Sequence, residues 1–170
     1  MGLYPSNGAW IQQGQKLVGT GASANSGQGW SVALSGDGNT ALIAGPNDRT
    51  AWAFTRSNGV WTQQAQLFNA SGAVSVTLSA DGNTAVIGAP GDNVEVGAAW
   101  VFTRSNGEWT QGQKLAANDE AGQAGFGQSV ALSADGNTVI VGGPKDNFAP
   151  WARRGCSHAA KEFGRSKGRS

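Results

Sequence analysis

The sequence predicts an all-β chain: β-propeller-type repeats of four-stranded antiparallel blades, in an incomplete array of about three blades. Three observations carry this expectation. The stretch Ser129 to Pro144, SVALSADGNTVIVGGP, recurs in near-copy at Ser31 to Pro46 and Ser75 to Pro90, and a period near fifty residues marks stacked supersecondary units. In each copy apolar residues alternate on either side of an Asp-Gly turn, which specifies a β-hairpin and not a helix. A second alternating hairpin follows each first one. Four short strands in roughly fifty residues are the content of one blade, and a single blade cannot bury both faces without neighbours.

Composition fits this class. Gly is abundant at 27 residues, Trp outnumbers Tyr by 7 to 1, and charged residues make up 14%, as in short strands joined by tight turns. The net charge of +1 hides an uneven split: Met1 to Trp151 carries six Lys/Arg against ten Asp/Glu, or −4, while Ala152 to Ser170 carries six against one, or +5. No apolar run is long enough to span a membrane, and the start MGLYPSNGAW shows no signal peptide. Cys156 is the sole cysteine, so no internal disulfide can form.

Taken in order, the copies are expected at about residues 8–58, 59–106 and 107–149, within a repeat region of residues 1–151. Each opens on a strand containing Trp10, Trp61 or Trp109, followed by a Gly/Ser/Ala-rich loop at residues 18–29, matched by residues 116–127 and much shorter in the second copy. The first hairpin then turns at Ser-x-Asp-Gly-Asn, with Gly38, Gly82 and Gly136 expected in the left-handed conformation. Val76, Leu78 and Val86 are expected to share one buried face. Pro46, Pro90 and Pro144 lack an amide donor and close the strands. The second hairpin runs through Trp52 to Arg56 or Trp100 to Arg104, turns at Ser-Asn-Gly, and returns through the Trp of the next copy. Met1 stands just before such a turn, Ser6-Asn7-Gly8, so the partner strand of that hairpin is expected to be missing. Unpaired sheet edges would favour edge-to-edge self-association.

Phe126-Gly127 ahead of SVALSADGNT, with Ile87-Gly88-Ala89-Pro90 or Val141-Gly142-Gly143-Pro144 closing the hairpin, resembles the FG-GAP repeat of integrin α-subunit β-propellers and of many bacterial secreted or surface proteins. The resemblance covers Gly8 to about Asn147. The FG pair is intact only at Phe126-Gly127; the first copy has Gln28-Gly29, and the second has lost the surrounding loop. The GAP element survives as Ala44-Gly45-Pro46, Gly88-Ala89-Pro90 and Gly143-Pro144. The resemblance implies an extracellular or cell-surface location and a binding role, since such propellers serve as adhesion modules, lectins and domains attached to enzymes.

Many members of that family bind calcium through D-x-D-x-D-G turns. Here each turn offers one carboxylate, Asp37, Asp81 or Asp135, with a neighbouring Asn and hydroxyls. A hard cation needs several oxygens, so these three are weak calcium candidates, a turn-stabilising role is favoured, and no cofactor is expected. Asp48, Asp92 and Asp146 recur two residues beyond each proline in a loop expected to be exposed, which makes them candidate ligand-binding residues, although Pro-x-Asp-Asn is also ordinary turn chemistry. Trp52 and Trp100 alternate with Phe54 and Phe102 and are expected between blades. Trp30, at a loop–strand junction, is the candidate for exposed contact with a sugar.

His is absent before residue 158 and Cys before residue 156, and no nucleophile stands beside a base, so no enzymatic activity is expected. The repeat region is mildly acidic without a basic-aromatic stripe, which argues against a nucleic-acid partner. The expected function is a non-catalytic binding or structural module with a protein or glycan ligand. The alternatives are a lectin-like sugar-binding module, the remnant of the propeller region of a secreted carbohydrate-active enzyme, and a structural spacer.

The basic tail, residues 152–170, reads unlike anything upstream and is expected to be disordered. Codons permitted for Pro150 to Ser170 can be chosen that read VGAAWVFTRSKGVWTQQGQK in a second frame, nearly reproducing Val96 to Thr110. A frameshift between about Asp146 and Pro150 is therefore expected, making the product a truncated or frameshifted fragment and Cys156 and His158 by-products of the shifted frame.

Overall fold

The computed structural model describes residues 2–6, 9–68, 72–116, 123–145 and 159–164. It consists of four antiparallel sheets. A two-stranded sheet pairs β1 (Gly2–Ser6) with β2 (Ala9–Gln13). Blade 1 comprises β3 (Ser31–Leu34), β4 (Thr40–Gly45), β5 (Thr50–Ser57) and β6 (Val60–Phe68) in sequential order. Blade 2 repeats it with β7 (Ser75–Leu78), β8 (Thr84–Ala89), β9 (Ala98–Ser105) and β10 (Glu108–Leu115). Blade 3 has β11 (Ser129–Leu132), β12 (Thr138–Gly143) and β13 (Ala159–Gly164). Among the described residues no helix is long and apolar enough to cross a membrane.

Local sequence explains these strands. The first-hairpin glycines adopt φ of +70° (Gly38), +69° (Gly82) and +71° (Gly136), the left-handed geometry that lets each strand re-pair. The second-hairpin turns place Asn58-Gly59 and Asn106-Gly107 at positive φ, the demand of a two-residue hairpin loop. The middle strands β4, β8 and β12 end at the residue before each proline.

Both faces of blade 2 are buried, in two separate layers. Leu42, Ala44, Ala53 and Leu67 of blade 1 pack against Val76, Leu78, Ile87 and Phe102 of blade 2. Val86 and Leu115 of blade 2 pack against Val139 and Val141 of blade 3, with Val130 and Leu132 beside them. Val86 therefore does not share a face with Val76 and Leu78. Val76 pairs with Ile87 and Thr77 with Val86, so the period-two alternation sends Val86 to the opposite side.

Hydrogen bonds between turn tips link the blades. Gly36 N donates to Ala80 O and Ala80 N donates to Ala134 O, each at 2.9 Å. Gly82 and Gly136 sit over Thr40 and Thr84 of the preceding blade, where an added Cβ would lie 2.8 Å and 3.1 Å from the threonine Oγ1. The three first-hairpin turns thus form one stacked column.

One expectation is corrected, and the sheet pairing adds to two others. The strand facing β2 is present, because Gly2–Ser6 pairs with it from Gly2↔Gln13 to Ser6↔Ala9. The copies 8–58, 59–106 and 107–149 are out of phase with the sheets: Ser57↔Val60 and Glu108↔Ser105 pair inside one blade, so each copy boundary falls in a hairpin turn. The tail is not wholly without structure, because β13 pairs along β12 from Thr138↔Gly164 to Gly143↔Ala159. In this register Ala159, Ala160 and Phe163 stand where Ala98, Ala99 and Phe102 stand along β8. The sequence continues with Arg165, Ser166 and Gly168 at the spacing of Arg104, Ser105 and Gly107, so this part of the tail does echo the repeat. Backbone pairing tolerates the differing side chains because the ladder is made by amide and carbonyl groups. Cys156, His158 and Asp146 lie outside the described residues.

Candidate functional site

The carboxylates at the first-hairpin turns are held by their own turn. Asp37 Oδ1 accepts from Ser35 Oγ at 2.5 Å and from Asn39 N at 2.9 Å, while Oδ2 accepts from Asn39 Nδ2 at 3.0 Å. Ser35 Oγ in turn accepts from Thr40 N at 2.9 Å. The same set recurs around Asp81 and Asp135. The serine hydroxyl, then the Asn amide groups, lower the Asp37 and Asp135 carboxyls to about 2. Asp81 is lowered by the same groups, with Arg104 adding to them. These bonds favour the ionised carboxylate because its two charged oxygens accept more strongly than those of the protonated acid. Each such Asp closes a turn, and the structure gives this geometry to all three.

The same turn anchors a cation stacked on an indole. Arg56 Nε donates to Asn39 Oδ1 at 3.2 Å and its guanidinium lies 5.7 Å from the Trp61 ring centre. Arg104 Nε donates to Asn83 Oδ1 at 3.1 Å, stands 5.4 Å from the Trp109 ring centre, and reaches Thr40 Oγ1 of blade 1 at 3.2 Å. Trp61 and Trp109 are thereby structural.

The second group of aspartates splits. Asp48 accepts from Ser23 N at 2.8 Å and from Ser23 Oγ at 2.5 Å, pinning the long loop of the first copy. Asp92 is buried, against the expectation of an exposed loop residue, and forms an ion pair with Lys114 Nζ at 2.9 Å. Lys114 lies 5.2 Å from the Trp100 ring centre. Sequence reading missed Lys114; the available signal was that it replaces Gln66 at the equivalent place in blade 1. Asp48 and Asp92 are therefore not gathered into one site. Among the described residues no group of three or more His, Cys, Asp or Glu is placed to hold a metal.

Trp52 is buried, with its Nε1 donating to Thr20 O at 3.2 Å, whereas Trp30 is 68% exposed beside Ser31 at the start of β3. Trp30 alone among the candidate ligand residues offers a free aromatic face.

Phe126-Gly127 has a physical role that explains its pairing with Gly88-Ala89. Phe126 is buried at 2% exposure and forms a parallel bridge with Gly97 of blade 2. Phe126 N donates to Val96 O at 2.9 Å, and Ser75 Oγ donates to Gly127 O at 2.9 Å. A Cβ on Gly88 would collide with Gly127 O, one on Gly97 with the Phe126 backbone, and one on Gly127 with Ala98 O. The loop of one blade is thus seated directly on the backbone of the one before it, which three glycines make possible. At the Gly88 position blade 1 carries Ala44, and the segment that follows it in copy two has no Phe-Gly pair.

Comparison with known proteins agrees. The FG-GAP repeat family matches residues 109–155. Hydrazine synthase of Kuenenia stuttgartiensis is similar in structure, with a TM-score of 0.57 at 14% identity over 79% of this chain and 33% of that one. Sqt1 of Saccharomyces cerevisiae has a TM-score of 0.55 at 12% identity over 72% of this chain and 31% of that one. The chain therefore spans about a third of the length of either structure. No curated protein sequence matches it. At these identities the structural likeness concerns the fold alone, a β-propeller-type array of four-stranded blades, and the FG-GAP repeat match is confined to residues 109–155.

Proposed function

We propose that the chain is a non-catalytic repeat module with a binding role in an extracellular or cell-surface protein. One observation carries the reading: the recurrent aspartates among the described residues are consumed by the architecture. The turn aspartates accept bonds from their own Ser and Asn, Asp48 holds a loop, and Asp92 pairs with Lys114. A carboxylate so engaged supports a scaffold role better than acid–base chemistry, which needs a group free to exchange its proton with substrate. The FG-GAP match at residues 109–155 favours the extracellular setting.

A glycan is the ligand class favoured by Trp30, whose exposed indole can stack on a sugar ring. A glycan array probed with the whole chain and with Trp30→Ala tests this. Binding by the parent that Trp30→Ala removes is the expected result. Turnover of a glycoside substrate that is abolished by Asp48→Asn would instead establish the carbohydrate-active enzyme.

A further inference from the structure

The two ends of the array are complementary to each other. Blade 3 lacks, among the described residues, the outer strand that carries Trp61 in blade 1 and Trp109 in blade 2. Among the described residues the sheet of β1 and β2 is an outer hairpin with no inner strands paired to it, and its Pro5↔Trp10 pairing matches Arg56↔Trp61 and Trp109↔Arg104. Trp10 is 71% exposed, while Trp61 and Trp109 pack between elements. The place of that Trp in blade 3 is a cleft of about 280 Å³ between blades 2 and 3, lined by Val86, Val101, Leu115, Leu132, Asn137 and Val139.

The inner strands show the same mismatch. Val76 and Leu78 are buried on blade 1, and Val130 and Leu132 pack on blade 2. Their counterparts Val32 and Leu34 are 66% and 58% exposed. The opposite face of the array presents Ile140 at 47% exposure, the counterpart of Leu42 and Val86, which are covered. The turn column ends at Gly36 and Ala134. Gly29, with φ of +92° like the +95° of Gly127, has nothing near its would-be Cβ, and Gly142, the counterpart of Gly88, would meet only Ser129.

We propose that these surfaces are filled by a second copy of this chain. Hairpin β1–β2 of one copy joins β11–β12 of the other to form a composite blade, replacing β13. Trp10 enters the partner's cleft, Val32 and Leu34 cover the partner's Ile140, and Ala134 N donates to Gly36 O to continue the turn column. The turn-column and inner-strand contacts are already made twice within the chain and the seating of the Trp once, by Trp109, so shape and polarity match without a new kind of interface. The patches are head-to-tail, and such an interface either closes into a ring or runs on as a fibre. Two complete blades per copy and two composite ones give a ring of about six, inside the range of closed propellers.

Light scattering on the eluting 170-residue chain, across concentration, tests this. The expected species has twice the 17.3 kDa chain mass. Trp10→Ala and Leu34→Asp alter side chains exposed in the single chain, so both should fold, and each should weaken the dimer by roughly 30-fold or more, the scale of a central aromatic anchor. Glu162→Pro, which removes an amide from β13, should tighten it. A chain that stays monomeric at every concentration, a dimer indifferent to both Trp10→Ala and Leu34→Asp, a weaker dimer for Glu162→Pro, or open polymers that lengthen with concentration would each overturn the proposal.

Discussion

Replacing Gly88 by Ala tests the seating of one blade on the next through a single methyl group. The new Cβ would collide with the carbonyl oxygen of Gly127 and with Ser75 Oγ. The serine can rotate away, at the loss of its 2.9 Å bond to Gly127 O, but a backbone carbonyl cannot. Gly127 is itself fixed by its amide bond to Gly142 O at 3.0 Å, so relief requires blade 3 to move off blade 2. Overpacking of this kind costs about 1–3 kcal/mol. Blade 1 supplies the control, because the equivalent Ala44 is fully buried and accommodated where no Phe-Gly pair follows. Ala44→Gly should cost only about 0.5–1 kcal/mol, the backbone-entropy difference between the two residues. Urea denaturation followed by circular dichroism reads both; with a slope of about 1–3 kcal/mol/M, Gly88→Ala should lower the midpoint by roughly 1 M. A Gly88→Ala midpoint equal to that of the parent would refute the docking of Phe126-Gly127 on this strand.

Other outcomes follow from the same contacts. The carboxyls of Asp37 and Asp135, lowered to about 2 in the fold, contribute stability that is fully present above the unfolded carboxyl value near 3.9 and is lost as pH falls toward about 2. A urea midpoint unchanged from pH 7 to about 5 and falling below about 4 is expected, and the Asp37→Asn/Asp135→Asn variant should show a shallower fall. Arg104→Ala removes a cation 5.4 Å from Trp109 together with its bonds to Asn83 and Thr40, and should cost about 1–2 kcal/mol by thermal unfolding. Replacing residues 151–170 by GAAWVFTRSKGVWT, a sequence their codons permit in a second frame, keeps a Phe at the register position of Phe163 and adds the outer-strand Trp whose place in blade 3 is the cleft. Filling it should stabilise the chain by about 1.5–3 kcal/mol per large side chain buried, read as a raised melting temperature.

The hairpins were legible because period-two alternation and Asp-Gly or Asn-Gly turns are local signals. Glycines 38, 82 and 136 do what their neighbours specify within five residues. The phase of the repeat was not legible. A period looks the same wherever it is cut, and only the pairing of Ser57 with Val60 shows that the Trp strand closes a blade and does not open one. Asp92 gave no sign of burial because its partner, Lys114, lies far along the chain on a different strand. The turn column from Gly36 through Ala80 to Ala134 is made by backbone atoms alone, so it leaves no side-chain pattern to read. The segment at β13 was obscured because its likeness to Ala98–Thr103 is confined to three residues within the strand, while Lys161 and Glu162 replace Trp100 and Val101.

Hydrogen exchange at the turn tips tests the stacked-blade architecture most directly. Ala80 is an exposed turn residue, and an isolated hairpin would leave its amide open to solvent. Because Gly36 N and Ala80 N each bond to a carbonyl of the following blade, both amides should exchange slowly, with protection lost only when the blades separate. In Gly88→Ala the Ala80 amide, which reaches blade 3, should lose protection before Gly36 does. Fast exchange at Gly36 and Ala80 under native conditions, with the strand amides of β4 and β8 still protected, would show hairpins that fold without stacking and would contradict the blade array.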